Sequence, residues 1–205
     1  MPTKYPRVTE ILSILAKPGL YKWYSDNGMT SCEAMKNSAG ERGTAVHKAV
    51  QYRMEKGTFA GLAEPIRVLS EPYHASIEKY LTDHKLVTIL VEYKVINERD
   101  EYEGQFDWLG RIDDGGVSLV DWKTSSKIQP EAELQLSAYE HGFYETVGAP
   151  PVGGIADWRV VRFKKDGKYQ QKVYKDQKRM ATALEAFLGL RAAYKHLYEE
   201  KKDVE

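Results

Sequence analysis

The segment from Leu86 to Thr124 limits what this chain can fold into more than any other. Leu86 to Asn97 is rich in Val, Ile, Thr and Tyr, residues that suit the pleated, half-buried surface of a strand. After the charged turn Glu98 to Glu103, a second strand is expected from Gly104 to Ile112 and a third from Val117 to Thr124. Between them lies Asp113-Asp114-Gly115-Gly116, a hairpin turn in which Gly tolerates positive φ. Three such strands joined by short turns predict an antiparallel sheet, which must be covered by other elements to bury its apolar side.

The rest of the chain supplies that cover. Val8, Ile11, Leu12 and Leu15 recur at helical spacing up to Pro18-Gly19, and a short helix is expected to carry Leu20, Tyr21, Trp23 and Tyr24 to Asn27-Gly28. Glu41 to Lys56 predicts a stronger helix, stopped by Gly57, and Glu71 to His84 another. Glu131 to Val147 predicts a helix after the third strand. A hairpin of Ile155–Phe163 and Tyr169–Tyr174 around Asp166-Gly167 comes next. Gln177 to Lys202 predicts a long last helix with Leu184, Phe187, Leu188, Leu190, Ala193 and Leu197 inward. The fold class is therefore α+β. With 205 residues the expectation is one domain over 1–205: a helical part at 1–85, a sheet core with a central helix at 86–175, and a C-terminal helix at 176–205.

Charge and cysteine content exclude several classes. Lys plus Arg and Asp plus Glu both number 30, so an anionic partner must be held by a local basic patch or by bound cations rather than by bulk charge. The one cysteine, Cys32, forms no internal disulfide and cannot by itself hold a zinc finger or an iron–sulfur cluster. No apolar run reaches the ~18 residues of a membrane span, and Met1 to Arg7 lacks the apolar stretch of a secretory signal. The expectation is an intracellular, cytoplasmic protein with no membrane partner.

Carboxylates inside the strands mark the candidate site. Asp121 and Lys123 are two apart and project to one face, with Trp122 on the other. Asp107 sits between Phe106 and Trp108, which are expected to point together to the opposite face. The hairpin would bring Asp107 beside Asp121. Carboxylates in apolar strands are costly unless they bind something. Two of them with a lysine and a main-chain carbonyl suit a Mg²⁺ site. Glu92 also interrupts an apolar strand, as a further candidate or as a solvent-facing residue. His47 lies in the Glu41 helix one turn after Gly43, whose missing side chain leaves room for a backbone or a phosphate. The remaining histidines, His74, His84, His141 and His196, lack metal-ligand spacing.

An ordered set of short motifs runs through these residues. Val8-Thr9-Glu10-Ile11-Leu12 comes first, then Arg42-Gly43-Thr44-Ala45-Val46-His47, with Gly-x-x-x-His. Gly104-Gln105-Phe106-Asp107 gives Gly-x-x-Asp, Val120-Asp121-Trp122-Lys123-Thr124 gives Asp-x-Lys-Thr, and Gln135 and Tyr139 give Gln-x-x-x-Tyr. In this order they resemble RecB-type nucleases of the PD-(D/E)XK superfamily, which include phage exonucleases. The resemblance implies a restriction-endonuclease-like core, a mixed sheet flanked by helices, with an N-terminal helical elaboration. It implies Mg²⁺ or Mn²⁺ bound by His47, Asp107, Asp121 and the Trp122 carbonyl. Lys123 would stabilise or orient the attacking hydroxide, with Gln135 and Tyr139 facing the site from the next helix. Asp107, Asp121, Lys123, Gln135 and Tyr139 are the expected catalytic residues. Relatives that hold an iron–sulfur cluster use four cysteines, which this chain lacks.

The resulting expectation is a metal-dependent deoxyribonuclease, an exonuclease acting on single-stranded or end-containing DNA in recombination, repair or replication, and plausibly phage-encoded. A structure-specific or restriction-like endonuclease and a non-catalytic nucleic-acid-binding module of the same fold are the alternatives. Lys164, Lys165, Lys168, Lys172, Lys175, Lys178 and Arg179, with Tyr169 and Tyr174, form either a single-strand groove or a solvated hairpin.

Overall fold

The computed structural model describes residues 4–15, 24–148 and 153–199. Its helices are α1 (Val8–Leu12), α2 (Met29–Lys56), α3 (Glu64–Ser70), α4 (His74–Asp83), α5 (Ala132–Val147) and α6 (Gln177–Tyr194). The strands are β1 (Leu86–Asn97), β2 (Tyr102–Ile112), β3 (Val117–Lys123), β4 (Ile155–Phe163) and β5 (Tyr169–Tyr174). They form one mixed sheet in the order β1-β2-β3-β4-β5. The β1–β2, β2–β3 and β4–β5 pairs are antiparallel and β3–β4 is parallel. A parallel pair needs a crossover, and α5 supplies it. The α+β class expected from the pattern is observed, and so is the mixed sheet flanked by helices that the resemblance implied. No described helix is long and apolar enough to cross a membrane.

The sheet is covered on both faces. On one, Val8, Ile11 and Leu12 of α1, Leu136 and Phe143 of α5 and Phe187 of α6 pack on Leu109, Leu119 and Val160. On the other, Val46 and Val50 of α2 and Ile77 and Tyr80 of α4 pack on Trp108, Val120, Trp122 and Val161. Each layer removes large apolar side chains from water, the dominant favourable term in folding.

Several elements depart from expectation. Helix α2 begins at Met29, right after Gly28, and not at Glu41. Its first half is exposed apart from Cys32, so no apolar stripe marks it in the sequence. A helix at Glu64–Ser70, with Pro65 in its first turn, was not expected. Glu71–Tyr73 forms a 3₁₀ turn around Pro72, and α4 starts only at His74. The last helix buries Met180, Ala183, Phe187 and Arg191, while Ala193 and Leu197 lie exposed; it ends at Tyr194 and passes into a π-turn at Lys195–Glu199. At the β2–β3 turn the positive φ falls on Asp113 (57°), not on a glycine. Gly116 serves the neighbouring strand instead: a Cβ there would lie 2.7 Å from that of Ala156. Of the short helix expected to run to Asn27-Gly28, residues 24–27 are helical and stop at Gly28, and the earlier part lies outside the described residues.

Candidate active site

The site forms where the sheet's alternation fails. Phe106 packs in the α5-side core and Trp108 in the α2-side core, although they are two residues apart on β2. Across the ladder Tyr93 and Val91 divide in the same way. The expectation that Phe106 and Trp108 share a face is therefore wrong. Both strands switch faces at one rung, and that rung holds Glu92 and Asp107, bracketed by the pairs Val91–Trp108 and Tyr93–Phe106. Glu92 has a φ of 48°, in the left-handed region that non-glycine residues seldom adopt. The switch lets a helix from each face reach the same point.

From the α2 face comes His47. Its Nδ1 lies 3.1 Å from Asp107 Oδ1, and its Nε2 is 2.9 Å from the Trp122 carbonyl oxygen. The β2–β3 ladder ends at the Trp108–Val120 pair. Beyond it the Trp122 N–H donates to Asp107 Oδ2 at 2.6 Å, so a side chain takes the place of a main-chain acceptor. His47, Glu92 and Asp107 offer ligand atoms within 4.8 Å of one another, close enough to hold a metal ion between them. Gln105 donates to Glu92 Oε2 and steadies it.

From the α5 face comes a chain of polar contacts. Lys123 Nζ lies 2.9 Å and 2.8 Å from the two Asp121 oxygens and donates to Gln135 Oε1 at 3.1 Å. Gln135 Nε2 donates to the Tyr139 hydroxyl at 2.7 Å. Gln135 and Tyr139 are one helical turn apart, which puts both on the same side of α5. Asp121 is 2% exposed, and its Oδ2 is buried without a hydrogen bond of good geometry.

Charge runs through this cluster. Burial alone would lower the His47 pKa, but the charge and hydrogen bond of Asp107, with Asp121 behind them, raise it to about 9. Each ring nitrogen thus faces one oxygen group, and a bound divalent ion would have to displace a ring proton. Burial likewise works against charge on Lys123, and Asp121 and Asp107 outweigh it, so Lys123 stays a cation at neutral pH. Burial and the neighbouring Asp107 push Glu92 upward. Burial also pushes Asp121 upward, against the pull of Lys123.

All the residues singled out from the sequence, His47, Asp107, Asp121, Trp122, Lys123, Gln135 and Tyr139, thus meet at one place. The carboxylate that completes the His47–Asp107 group is Glu92; Asp121 stands beside it, paired with Lys123. Gly104 is glycine for a local reason: a Cβ there would lie 2.6 Å from the Tyr139 ring. At Gly43 a Cβ would meet only Thr124 Oγ1, at 3.9 Å, so no backbone presses close there. Four of the late basic residues have partners nearby. Lys164 pairs with Asp166 and Arg179 with Glu133, while Lys165 sits over Tyr73 and Lys172 over Tyr174. Among the other described histidines, His74 contacts Ser70, His84 contacts Asp113 and His141 contacts Asp100.

A cavity of about 370 Å³ adjoins the cluster. Arg7, Val8, Thr9, Lys94, Glu103 and Gly104 line it, and Gln105 and Tyr139 form a wall shared with the site.

No model of a protein family and no curated protein matches the chain. Among solved structures it is similar to the alkaline exonuclease LHK-Exo from Laribacter hongkongensis, at 13% identity over 98% of this chain and 95% of that one, with a TM-score of 0.40. The same exonuclease in complex with dAMP matches at 14% identity over 97% and 92%, with a TM-score of 0.36. The protein SSO0001 matches at 15% identity over 71% of each chain, with a TM-score of 0.32.

Proposed function

We propose that the chain is a divalent-metal-dependent nuclease of the PD-(D/E)XK type that hydrolyses DNA from an end. The observation that carries this reading is the convergence of His47, Glu92, Asp107 and the Trp122 carbonyl beside the Asp121–Lys123 pair. The donors fit a divalent ion. They are mostly oxygens, with one imidazole that suits Mn²⁺ better than Mg²⁺. Asp121 is buried with Lys123 as its one cationic neighbour, so a divalent ion beside it would add a second. Three carboxylates face one lysine and one histidine, a surplus of negative charge that is costly unless neutralised.

A divalent ion bound there would neutralise a phosphodiester and lower the pKa of a bound water. The chain's own residues do the rest. His47, Glu92, Asp107 and Asp121 bind and orient. Lys123, held charged, acts as a fixed donor toward the attacking oxygen and the phosphate rather than as a base. Gln135 and Tyr139 hold the lysine in place through a relay of hydrogen bonds. A protein that only bound nucleic acid would have no need for a lysine so placed.

The adjoining cavity supports the exonucleolytic form. Its volume of about 370 Å³ lies at the lower end of small-ligand sites. It offers Arg7 and Lys94 to an anion, with Glu103 on the same wall. A space of this size matches one terminal nucleotide better than a run of them.

The test is digestion of end-labelled linear and covalently closed circular single strands of one sequence, with Mg²⁺, Mn²⁺ or chelator. Loss of the linear form alone, only with metal, is the expected result. Equal loss of both forms favours an endonuclease, and cleavage in chelator rules out the metal mechanism.

A further inference from the structure

One cation next to the site is not used by the reading above. Arg162 on β4 is the register partner of Lys123 on β3. It lies on the sheet face of Val160 and Trp158, which pack with Leu119 in the α5-side core, so it stands on the same face as Lys123. Its Nε donates to the Ser125 carbonyl at 2.6 Å and its Nη1 to Gln170 Oε1 at 3.1 Å. Both acceptors are neutral.

That sets it apart from other arginines of the chain. Arg53 faces Glu78, Arg179 faces Glu133, and Arg191 faces Glu101 and Glu199. Arg159, three residues earlier on the same strand, is paired with Asp157. Among the described residues no ion pair includes Arg162. Its guanidinium is therefore held in a fixed orientation by two bonds, keeps its full charge, and has N–H donors left over.

The order of features across the sheet gives this cation a direction. The small cavity lies at β1 and β2, the carboxylates on β2 and β3, and Arg162 on β4. A strand whose last nucleotide fills the cavity and whose scissile phosphate sits at Asp107 and Asp121 continues over β4. Neighbouring strands lie about 4.8 Å apart, within reach of two long side chains that hold successive phosphates.

We propose that Arg162 binds the phosphate next to the scissile one, on the polymer side of the bond that is cut. This rests on the nuclease reading above. A charge-assisted, pre-oriented guanidinium–phosphate contact of this kind changes kcat/KM by about 10- to 100-fold.

The experiment measures the first cleavage of an end-labelled oligonucleotide by the wild type, Arg162→Ala, Arg162→Gln and Arg162→Lys. Each is given two substrates, one all phosphodiester and one with a neutral methylphosphonate at that single neighbouring linkage. With the normal substrate, Arg162→Ala and Arg162→Gln should lose about 10- to 100-fold in kcat/KM, mostly in KM, and Arg162→Lys should recover part of it. The methylphosphonate should cost the wild type a similar factor and the two neutral variants almost nothing, the signature of a direct contact in a double-mutant cycle. If the variants lose equally on both substrates, Arg162 only braces the loop at Ser125 and the proposal fails. If they match the wild type, it fails alone, with the nuclease reading intact. A wild type that cleaves nothing in Mg²⁺ or Mn²⁺ overturns both.

Discussion

Two His–Asp pairs in this protein are built almost alike. His47 lies 3.1 Å from Asp107, and His84 lies 3.0 Å from Asp113. Each aspartate uses its other oxygen to accept a backbone N–H, from Trp122 in one case and Lys85 in the other. Each histidine presents its second nitrogen to an oxygen, the Trp122 carbonyl or the Tyr169 hydroxyl. Each lies beside a residue with positive φ, Glu92 at the first and Asp113 itself at the second. What differs is the charge around them. Asp113 is half-exposed and ties a hairpin to the end of α4. Asp107 is buried opposite Glu92, with Asp121 and Lys123 beside it. The same hydrogen-bonded unit thus closes a turn in one place and borders an excess of carboxylates, two of them buried, in the other. The excess, not the pair, is what points to chemistry.

The sharpest way to separate the two pairs is to add and remove metal. Chelation should abolish cleavage, and Mg²⁺ or Mn²⁺ should restore it. Metal should also raise the melting temperature of the wild type, because a ligand at 100 times its Kd stabilises the folded state by about 2.7 kcal/mol. Asp107→Asn should lose that rise and Asp113→Asn should keep it. An equal rise in both would place the metal elsewhere and break the comparison.

The next effect divides binding from chemistry within the first region. Lys123→Ala should lower kcat by about 10²- to 10³-fold, as expected for a lost donor to developing charge, while the metal-induced rise in melting temperature persists. His84→Ala should leave kcat within about twofold, since the His84 pair lies outside the site. Parental activity in Lys123→Ala would remove the lysine from the mechanism.

How far this division could be read from the sequence depends on what carries each feature. The strands were legible because apolar and β-branched residues fill them and short turns bound them. The first half of α2 was not, because Met29 to Gly40 makes no apolar stripe and contains the weak helix formers Thr30, Ser31, Asn37, Ser38 and Gly40. Asp107, Asp121 and Lys123 stood out as charges in apolar strands. His47 and His84 looked alike in composition, and only the motif around Gly43 singled one out. The face switch at Glu92 and Asp107 left no trace, since strict alternation is all that a strand pattern conveys, and a local backbone reversal is set by what packs on each side. Arg162 was equally silent: its neighbour Lys123 is 39 positions away in sequence (162 − 123) and meets it only through the parallel β3–β4 register.

A smaller effect tests the packing that supports the site. Gly104→Ala would put a Cβ 2.6 Å from the Tyr139 ring and 3.2 Å from Val8 Cγ2. Overpacking of this kind costs about 1–3 kcal/mol. Urea unfolding should show that loss, and kcat should fall with it as Tyr139 moves and Gln135 loses its partner. Gly148→Ala, where nothing lies within 4 Å but φ is 74°, should lose stability without loss of kcat. If Gly104→Ala keeps full kcat, the Tyr139–Gln135 relay does not position Lys123.

The smallest expected effect belongs to the second pair and is a matter of pH. The His84 hydrogen bond, and after it the Lys85 N–H, hold the Asp113 carboxyl below its ordinary value. A carboxyl whose folded pKa is depressed contributes stability above its unfolded pKa, about 3.9, and that contribution is lost as the pH falls through the lower folded value. Asn at this position keeps an oxygen for the Lys85 N–H and tolerates the left-handed backbone but turns an NH₂ toward His84, so Asp113→Asn removes the charge together with the His84 bond. The variant should therefore melt below the wild type at about pH 5, and the gap should close on acidification toward about pH 2.5. All other carboxyls are common to both proteins and cancel in the difference. A gap that persists unchanged in acid would show that hydrogen-bond geometry, not charge, ties the hairpin. Because Asp113 lies outside the carboxylate cluster, its replacement should leave cleavage at neutral pH unaltered; a loss of activity there would mean that the hairpin and the site are coupled through β2 and β3.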